Sequence, residues 1–369
     1  MKHYDFLIVG TGLFGATFAC LSARIGHRCL VIDRRPHVGG NAFCHEVEGI
    51  LVHAYGPHIF HTDNREVWKF VNSFIPFNSF TNSPLANYKG EVYNLPFNMH
   101  TFRQLWGVES PAEAKARFQK FCDEAPELGD APSLEEYALA RVGREIYEKL
   151  IKGYTEKQWG RQCTELPASL LARIPLRFTY DNNYYDDPYQ GIPQGGYTHL
   201  VERMLDGCDV QLGVDFAQLK STWREIADKL VYTGPLDEYF DFRLGRLEWR
   251  SLRFEEEVLD TPDFQGNAVV NYTDAETPWT RIVEHKHFAP EDYSLSQRTV
   301  ITREYPVHGE GRDPFYPVND VHNNALADRY RALAEAEPDV FFGGRLADYR
   351  YYDMDEVISQ AMSLYNSEQ

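Results

Sequence analysis

Phe6-Leu7-Ile8-Val9-Gly10-Thr11-Gly12-Leu13-Phe14-Gly15 is the stretch that decides the fold. Residues 6–10 form an unbroken apolar run of the kind buried on both faces of a parallel sheet. The spacing Gly10-x-Gly12-x-x-Gly15 then gives each glycine a task. The first allows a tight turn, the second lets backbone approach a pyrophosphate, and the third lets a helix pack on the strand. A helix over 16–25 and a second buried strand over 29–32 complete a βαβ unit. Phosphates would face the free N–H groups at the helix N-terminus. Asp33, 18 residues beyond Gly15, ends the second strand and can accept from ribose hydroxyls. The glycine turn alone is a weak signal, but with strand, helix, second strand and terminal acid it predicts a dinucleotide site.

Arg34-Arg35 and then Val38-Gly39-Gly40-Asn41 follow the acid. A further Gly-Gly pair at this place favours FAD over NAD, because an extended dinucleotide needs a second close backbone approach. Two distant stretches, Thr233-Gly234-Pro235 and Gly343-Gly344-Arg345, would bring more backbone to the same cofactor.

Outward from this unit the pattern changes and then returns. Helices are predicted over 112–122, 134–141 and 144–160, and 179–196 reads as loop. A helix over 197–205 and strands over 210–212 and 229–232 restore the nucleotide-domain pattern. Strands at 247–254, 269–272, 281–287 and 298–305 look antiparallel. A helix over 319–336, a strand over 340–342 and a helix over 354–364 finish the chain. The fold class is α/β: a discontinuous Rossmann-type FAD-binding domain (1–66, 190–245 and 317–369), a helical-bundle insert (98–178) and an antiparallel β-sheet domain (67–97, 179–189 and 246–316).

Composition narrows the function. The 369 residues are 43% hydrophobic and 25% charged, the balance of a folded soluble protein. With 37 basic against 55 acidic residues the net charge is −18, which argues against nucleic acid or an anionic membrane as partner. An anionic substrate would have to be held by particular arginines against a repulsive overall field. The six cysteines are scattered without a CxxC and read as reduced thiols. No signal-peptide pattern precedes the first strand, and no apolar run reaches membrane-span length, so a cytoplasmic protein is expected.

His53, His58 and His61 cluster around Gly56-Pro57. No Cys or Glu at ligand spacing accompanies them, so no metal site is expected. His53 reads as structural, and His58 and His61 as part of a loop beside a flavin. Arg173, Arg281 and Arg345 stand in aromatic or Gly/Pro-rich settings suited to binding a diphosphate. Tyr154, Trp159, Tyr184, Tyr185 and Tyr189 can stack on a uracil or sugar, or simply pack helix on sheet. Asp353 can serve a cofactor or merely cap the helix that follows. With no nucleophile elbow, catalytic triad or Walker loop, the chemistry falls to a cofactor.

Taken in order, these segments resemble the bacterial UDP-galactopyranose mutase family along essentially the whole chain. The matching pieces include residues 10–16, Val38-Gly39-Gly40-Asn41, residues 55–62, Tyr154-Thr155-Glu156-Lys157-Gln158-Trp159-Gly160, residues 279–288 and residues 344–355. Glu284-His285-Lys286-His287-Phe288 and Arg350-Tyr351-Tyr352-Asp353-Met354-Asp355 are the most specific. The resemblance implies an isomerase that interconverts UDP-galactopyranose and UDP-galactofuranose on FAD, supplying galactofuranose for surface glycans. It further implies a reduced flavin, a covalent flavin N5–sugar adduct, no net redox change, a reductant such as NAD(P)H and a possible homodimer.

By matching position, Arg173 and Arg281 should hold the diphosphate, and with His61 near the flavin face they support the chemistry. Tyr154, Thr155, Tyr184, Asn271, Tyr316 and Tyr351 should face the substrate, with Trp159 on a mobile lid. Gly10, Gly12, Phe14, Gly15, Asp33, Arg34, Gly40, Asn41, His58, Ile59, Arg345, Tyr352, Asp353 and Met354 should hold the cofactor. Phe315, where a second tyrosine is common, and Asn82-Ser83-Pro84 depart from the pattern. The competing readings are an amine-oxidase-like FAD oxidoreductase and a catalytically silent binding protein.

Overall fold

The computed structural model describes residues 3–125, 128–129, 132–171, 175–309 and 313–368. Strand β1 (Tyr4–Val9), helix α1 (Leu13–Arg24) and strand β2 (Cys29–Asp33) form the βαβ unit. A hairpin of β3 (Cys44–Val47) and β4 (Ile50–His53) follows, then the short β5 (Phe60–Thr62) and α2 (Arg65–Asn72). Strands β6 (Leu85–Tyr88) and β7 (Glu91–Asn94) form a second hairpin.

The helical segment is punctuated by capping chemistry. Asn98 caps α3 (Met99–Trp106), and Gly107, at φ 66°, ends it. Ser110 with Pro111 opens α4 (Pro111–Glu124), and a Ser133/Glu136 capping box opens α5 (Leu134–Ile146). A π-helical turn, Tyr147–Lys152, joins α5 to α6 (Gly153–Trp159). Such turns insert a residue into the helix and recur at functional sites. Phe102, Phe118, Tyr147 and Leu150 pack into this segment's own core.

After β8 (Tyr189–Gly191) come α7 (Gly196–Met204), β9 (Asp209–Leu212), β10 (Ala227–Tyr232) and the single turn α8 (Leu236–Tyr239). Strands β11 (Trp249–Leu259), β12 (Val269–Tyr272), β13 (Arg281–Glu284), β14 (Thr299–His308) and β15 (Tyr316–Pro317) follow. Helix α9 (Val321–Ala334), β16 (Val340–Phe342) and α10 (Met354–Ser367) end the described chain.

Two sheets organise these elements. The first is parallel, in the order β16-β10-β1-β2-β9. Side chains alternate across a strand, so β1 feeds two cores. Phe6 and Ile8 meet α1, α7 and α10 on one face, while Leu7 meets Trp223, Leu236 and Tyr330 on the other. That double burial is why the sequence runs apolar without alternation. The second sheet runs β15-β11-β14-β13-β12-β6-β7. It is antiparallel except where β12 lies parallel to β6, a mixed pairing in place of the purely antiparallel sheet expected.

The expected strand over 281–287 stops at Glu284. His285–Phe288 turn as a 3₁₀ helix, because His285, Lys286 and Phe288 are buried and their polar atoms find partners that a straight ladder would not offer. Among the described residues no helix is long and apolar enough to cross a membrane.

Candidate functional site

The glycine turn builds a phosphate cradle. Gly10 has φ +106°, and a Cβ there would lie 2.1 Å from Thr233 Oγ1; a Cβ on Gly15 would lie 2.1 Å from the Gly10 carbonyl oxygen. Neither position tolerates a side chain. Gly12 caps α1 with no side-chain hydrogen bond, leaving the helix's first N–H groups for an anion. Gly40, at φ +55°, comes so close that its Cβ would meet Gly12 Cα at 3.1 Å. Two backbone segments therefore face each other across one cleft.

That cleft is lined by Gly10, Gly12, Phe14, Asp33, Arg34, Gly40, Asn41, His58, Arg345, Tyr352 and Met354, all among the residues expected to hold a cofactor. Gly15, Ile59 and Asp353 do not line it. Gly15 serves the packing of helix on strand, and Ile59 packs behind with Ile192, Val283 and Phe288. Asp353 stands at the N-cap of α10, its amide donating to Glu356 Oε2 at 2.8 Å, so the capping role describes it. Asp33 is also busier than expected. Its carboxylate accepts from Thr11 N at 2.8 Å, Thr11 Oγ1 at 2.6 Å and Arg35 N at 2.9 Å, so its first task is to hold the glycine loop.

Sequence reasoning missed the opposite wall, formed by Phe216, Lys220, Tyr232 and Tyr239 among others. Only Thr233-Gly234-Pro235 on that side carried a signal.

His58 reaches the cleft from the loop between β4 and β5. Its Nδ1 bonds the Gly56 carbonyl at 2.7 Å, so Nδ1 holds the proton, and burial first of all lowers its pKa to about 4. His61 does not line the cleft. Its ring stacks on Tyr185 at 3.7 Å, and its Nδ1 lies 2.6 Å from Asp187 Oδ2.

A second cluster crosses the large sheet in one row. Asn271, Arg281 and Glu304 are direct register partners on β12, β13 and β14, so their side chains share a face. Arg281 Nε donates to Glu304 Oε2 at 2.6 Å. Burial opposes the Arg281 cation, but Glu304 beside it holds the guanidinium charged above its ordinary value. Asn271 Oδ1 and Glu304 Oε1 are buried polar atoms with no hydrogen-bond partner among the described residues. Such orphans are uncommon and call for a ligand or water to complete them.

Tyr154 and Tyr316 stand close enough to feel the Arg281 charge, and both phenols are pushed up, chiefly by burial. Tyr316 stacks on Tyr351 at 6.1 Å, and Arg345 lies 4.6 Å over the Tyr351 ring. Those contacts join the Arg281 row to the cleft, since Arg345 lines it. Tyr184 packs edge-on against Tyr185 at 5.4 Å. Arg173 lies outside the described residues.

Helix α6 brings Tyr154, Thr155 and Trp159 to this cluster, with Trp159 6.5 Å from the Tyr316 ring. Helix α6 has contacts at both ends. A Cβ on Gly153 would lie 2.4 Å from the Thr273 carbonyl, so the helix start presses on the β12–β13 connection. Lys157 Nζ donates to three carbonyls of that connection: Tyr272 at 2.8 Å, Thr277 at 3.0 Å and Trp279 at 3.0 Å. Arg250 Nε donates to the Gln158 carbonyl at 2.9 Å, a cation at the negative end of the helix. Neither Lys157 nor Arg250 was singled out by sequence, because their partners are backbone atoms.

The sequence profile of the family described as UDP-galactopyranose mutase matches residues 149–351, and that of an NAD(P)-binding Rossmann-like domain matches residues 8–74. A probable UDP-galactopyranose mutase of Klebsiella pneumoniae is 40% identical over 366 residues, covering 98% of this chain and 94% of its own. A dTDP-fucopyranose mutase of Escherichia coli is 39% identical over 365 residues, covering 96% of each. The crystal structure of a reduced UDP-galactopyranose mutase superposes with a TM-score of 0.76 at 13% identity, covering 99% of this chain and 95% of the other. A cleft between two glycine turns, an arginine row beside it and a match along the whole length together place the chain: it belongs to the UDP-galactopyranose mutase family.

Proposed function

We propose that this protein interconverts the pyranose and furanose forms of a galactose-type sugar carried on a nucleoside diphosphate, with UDP-galactose as substrate and reduced FAD as cofactor. The observation that carries the reading is the Asn271–Arg281–Glu304 row, a charged and partly unsatisfied cluster joined through Tyr316, Tyr351 and Arg345 to a dinucleotide cleft.

The residues present fit an extended dinucleotide. The bare helix start at Gly12, the close approach of Gly40 and the long apolar and charged wall supply backbone donors and room where a side chain would clash. Gly10, Gly12 and Gly40 would face the pyrophosphate, and His58, Arg345 and Met354 would lie toward the ring system. When bound in its reduced form, the flavin would supply an electron-rich nitrogen nucleophile, which the protein's own side chains lack.

The chain's part is binding and charge. Glu304 engages Arg281 Nε, so the outer guanidinium nitrogens, with Tyr316 beside them, can turn to the diphosphate. A guanidinium held there stabilises the diphosphate as it leaves and as it returns. Tyr154 and Tyr316 stay protonated at neutral pH and so can donate to phosphate or sugar oxygens. The aromatic walls exclude water from a centre that water would hydrolyse.

The near-equal identity of the dTDP-fucopyranose mutase supports a second reading, dTDP-fucose as substrate. That compound lacks the sugar O6 and the ribose 2′-hydroxyl and adds a methyl to the base. Dithionite-reduced protein given UDP-galactofuranose and, separately, dTDP-fucofuranose decides between them by chromatography of the products. Conversion of the first with the higher kcat/KM supports the galactose reading; preference for the second transfers the assignment; no conversion of either ends it.

A further inference from the structure

The Glu284–Phe288 segment is largely buried, yet the site described above gives it no task. Around it lies an unusual use of histidine. His53 N donates to His285 Nδ1 at 3.3 Å, and His58 N donates to His53 Nδ1 at 3.2 Å. Two backbone amides, one at the end of β4 and one in the loop leading to the cleft, are thus received by imidazole nitrogens instead of carbonyls.

Each bond fixes a tautomer. A nitrogen that accepts from an amide carries no proton, so both rings are neutral with the proton on Nε2, although His53 Nε2 has no hydrogen-bond partner among the described residues. His285 Nε2 donates to Thr302 Oγ1 at 2.8 Å on β14. His53 stacks on Phe288 at 4.6 Å with 12° between planes, so the same segment supplies the surface on which the second ring rests. Both rings are 1% exposed or less. Burial favours the neutral form, and a proton on either Nδ1 would set N–H against N–H and open the chain of contacts. His58 is the last member, and it alone of the three lines the cleft.

We infer that His285 and His53 are positioning residues: two neutral imidazoles that transmit the placement of the Glu284–Phe288 segment, through amide-to-Nδ1 bonds, to the Gly56–His58 turn and so to the ring system of the cofactor. This rests on the flavin reading, which the first step of the test checks by itself: wild-type protein must take up FAD and show its visible spectrum. Failure there concerns the cofactor and appears before any variant is made.

The variants are His53→Leu and His53→Asn, with the same pair at 285. Asparagine keeps an acceptor oxygen the same number of bonds from Cβ as Nδ1; leucine keeps bulk and loses the acceptor. In folded, flavin-loaded protein, His53→Leu is expected to shift the bound flavin's absorption bands and lower kcat per bound flavin about tenfold, the scale of one lost hydrogen bond, with KM within about twofold. His53→Asn is expected to restore both. A leucine variant with unchanged spectrum and unchanged kcat per flavin, lowered only in melting temperature, would overturn the inference, as would leucine and asparagine variants that behave alike. Should the leucine variants not fold, ¹⁵N NMR of the wild-type imidazoles decides: Nε2-protonated neutral rings at both positions support the relay, and a proton on Nδ1 of either removes it.

Discussion

Arg281 does two jobs that pull on the same atoms. It neutralises a nearly fully buried carboxylate, and it offers its outer nitrogens to an anionic substrate. Replacing it with alanine leaves Glu304 buried and unpaired and removes the one cation of the row. The expected result is a loss of kcat/KM of about 10²–10³-fold with FAD still bound, read by steady-state kinetics beside the flavin spectrum. Near-normal turnover would remove Arg281 from the site. Trp159→Ala is expected to raise KM about tenfold, since the ring offers a large apolar surface next to Tyr316; an unchanged KM would argue that it packs without touching substrate. At this scale the sequence was readable wherever geometry leaves one residue type possible, as at Gly10 and Gly15. It was less complete where a residue type serves two ends. Asp33 lines the cleft and also spends three bonds on its own loop, and Asp353 stands at the start of a helix.

Helix α6 shows how an element is set by contacts that no motif announces. Its position depends on Lys157, whose ammonium sits on three backbone carbonyls; burial lowers its pKa to about 8, only partly countered by Asp274 and Glu276. Lys157→Met is expected to destabilise the fold by about 1–3 kcal/mol, because it leaves three part-buried carbonyls without their donor, and to raise the KM for nucleotide sugar by displacing Thr155 and Trp159. Thermal melting and kinetics test the two halves separately, and a variant with wild-type KM would free α6 of this role.

The histidine relay makes a prediction of opposite character. The pKa of His285 is lowered by burial to about 3, and that of His53 falls well below 6.5 for the same reason. A group depressed in the folded state contributes stability that is whole above its unfolded pKa, near 6.5, and is lost as pH falls below it. His285→Asn should therefore flatten the dependence of unfolding free energy on pH between 6 and 4 by about 1.4 kcal/mol per unit, one proton's worth. Denaturant titration at several pH values measures it, and an unchanged slope would mean that the ring is already charged or exposed. Helices with caps, such as α4 and α5, were legible in advance because Ser110-Pro111 and Ser133 mark their starts. The hairpin of β3 and β4, the short β5 and β8 and the π-helical turn were not, since each is too brief for its periodicity to register and is held by partners far along the chain.

Across the whole molecule the fold class could be anticipated, because a βαβ unit with buried strands permits few arrangements. The site could be read only in halves. The glycine turns announced one wall of the cleft, while Phe216, Lys220 and Tyr239 reach the other wall only through the folding of distant segments. Likewise Asn271, Arg281 and Glu304 form a row only once three strands pair in register. The overall charge of −18 repels anions, so an anionic substrate would depend on particular cations such as Arg281 and Arg345.

On the function proposed, the ring system beside His58 and Arg345 must be electron-rich for the sugar to rearrange, and it ends each cycle as it began. The direct measurement is turnover of UDP-galactofuranose by one preparation, anaerobically, first with its flavin oxidised and then after stoichiometric reduction, while remaining reductant is counted. The expected result is no conversion before reduction, many turnovers after it and no reductant consumed beyond the first filling. Full activity with the oxidised flavin, or one reductant spent per sugar converted, would contradict it.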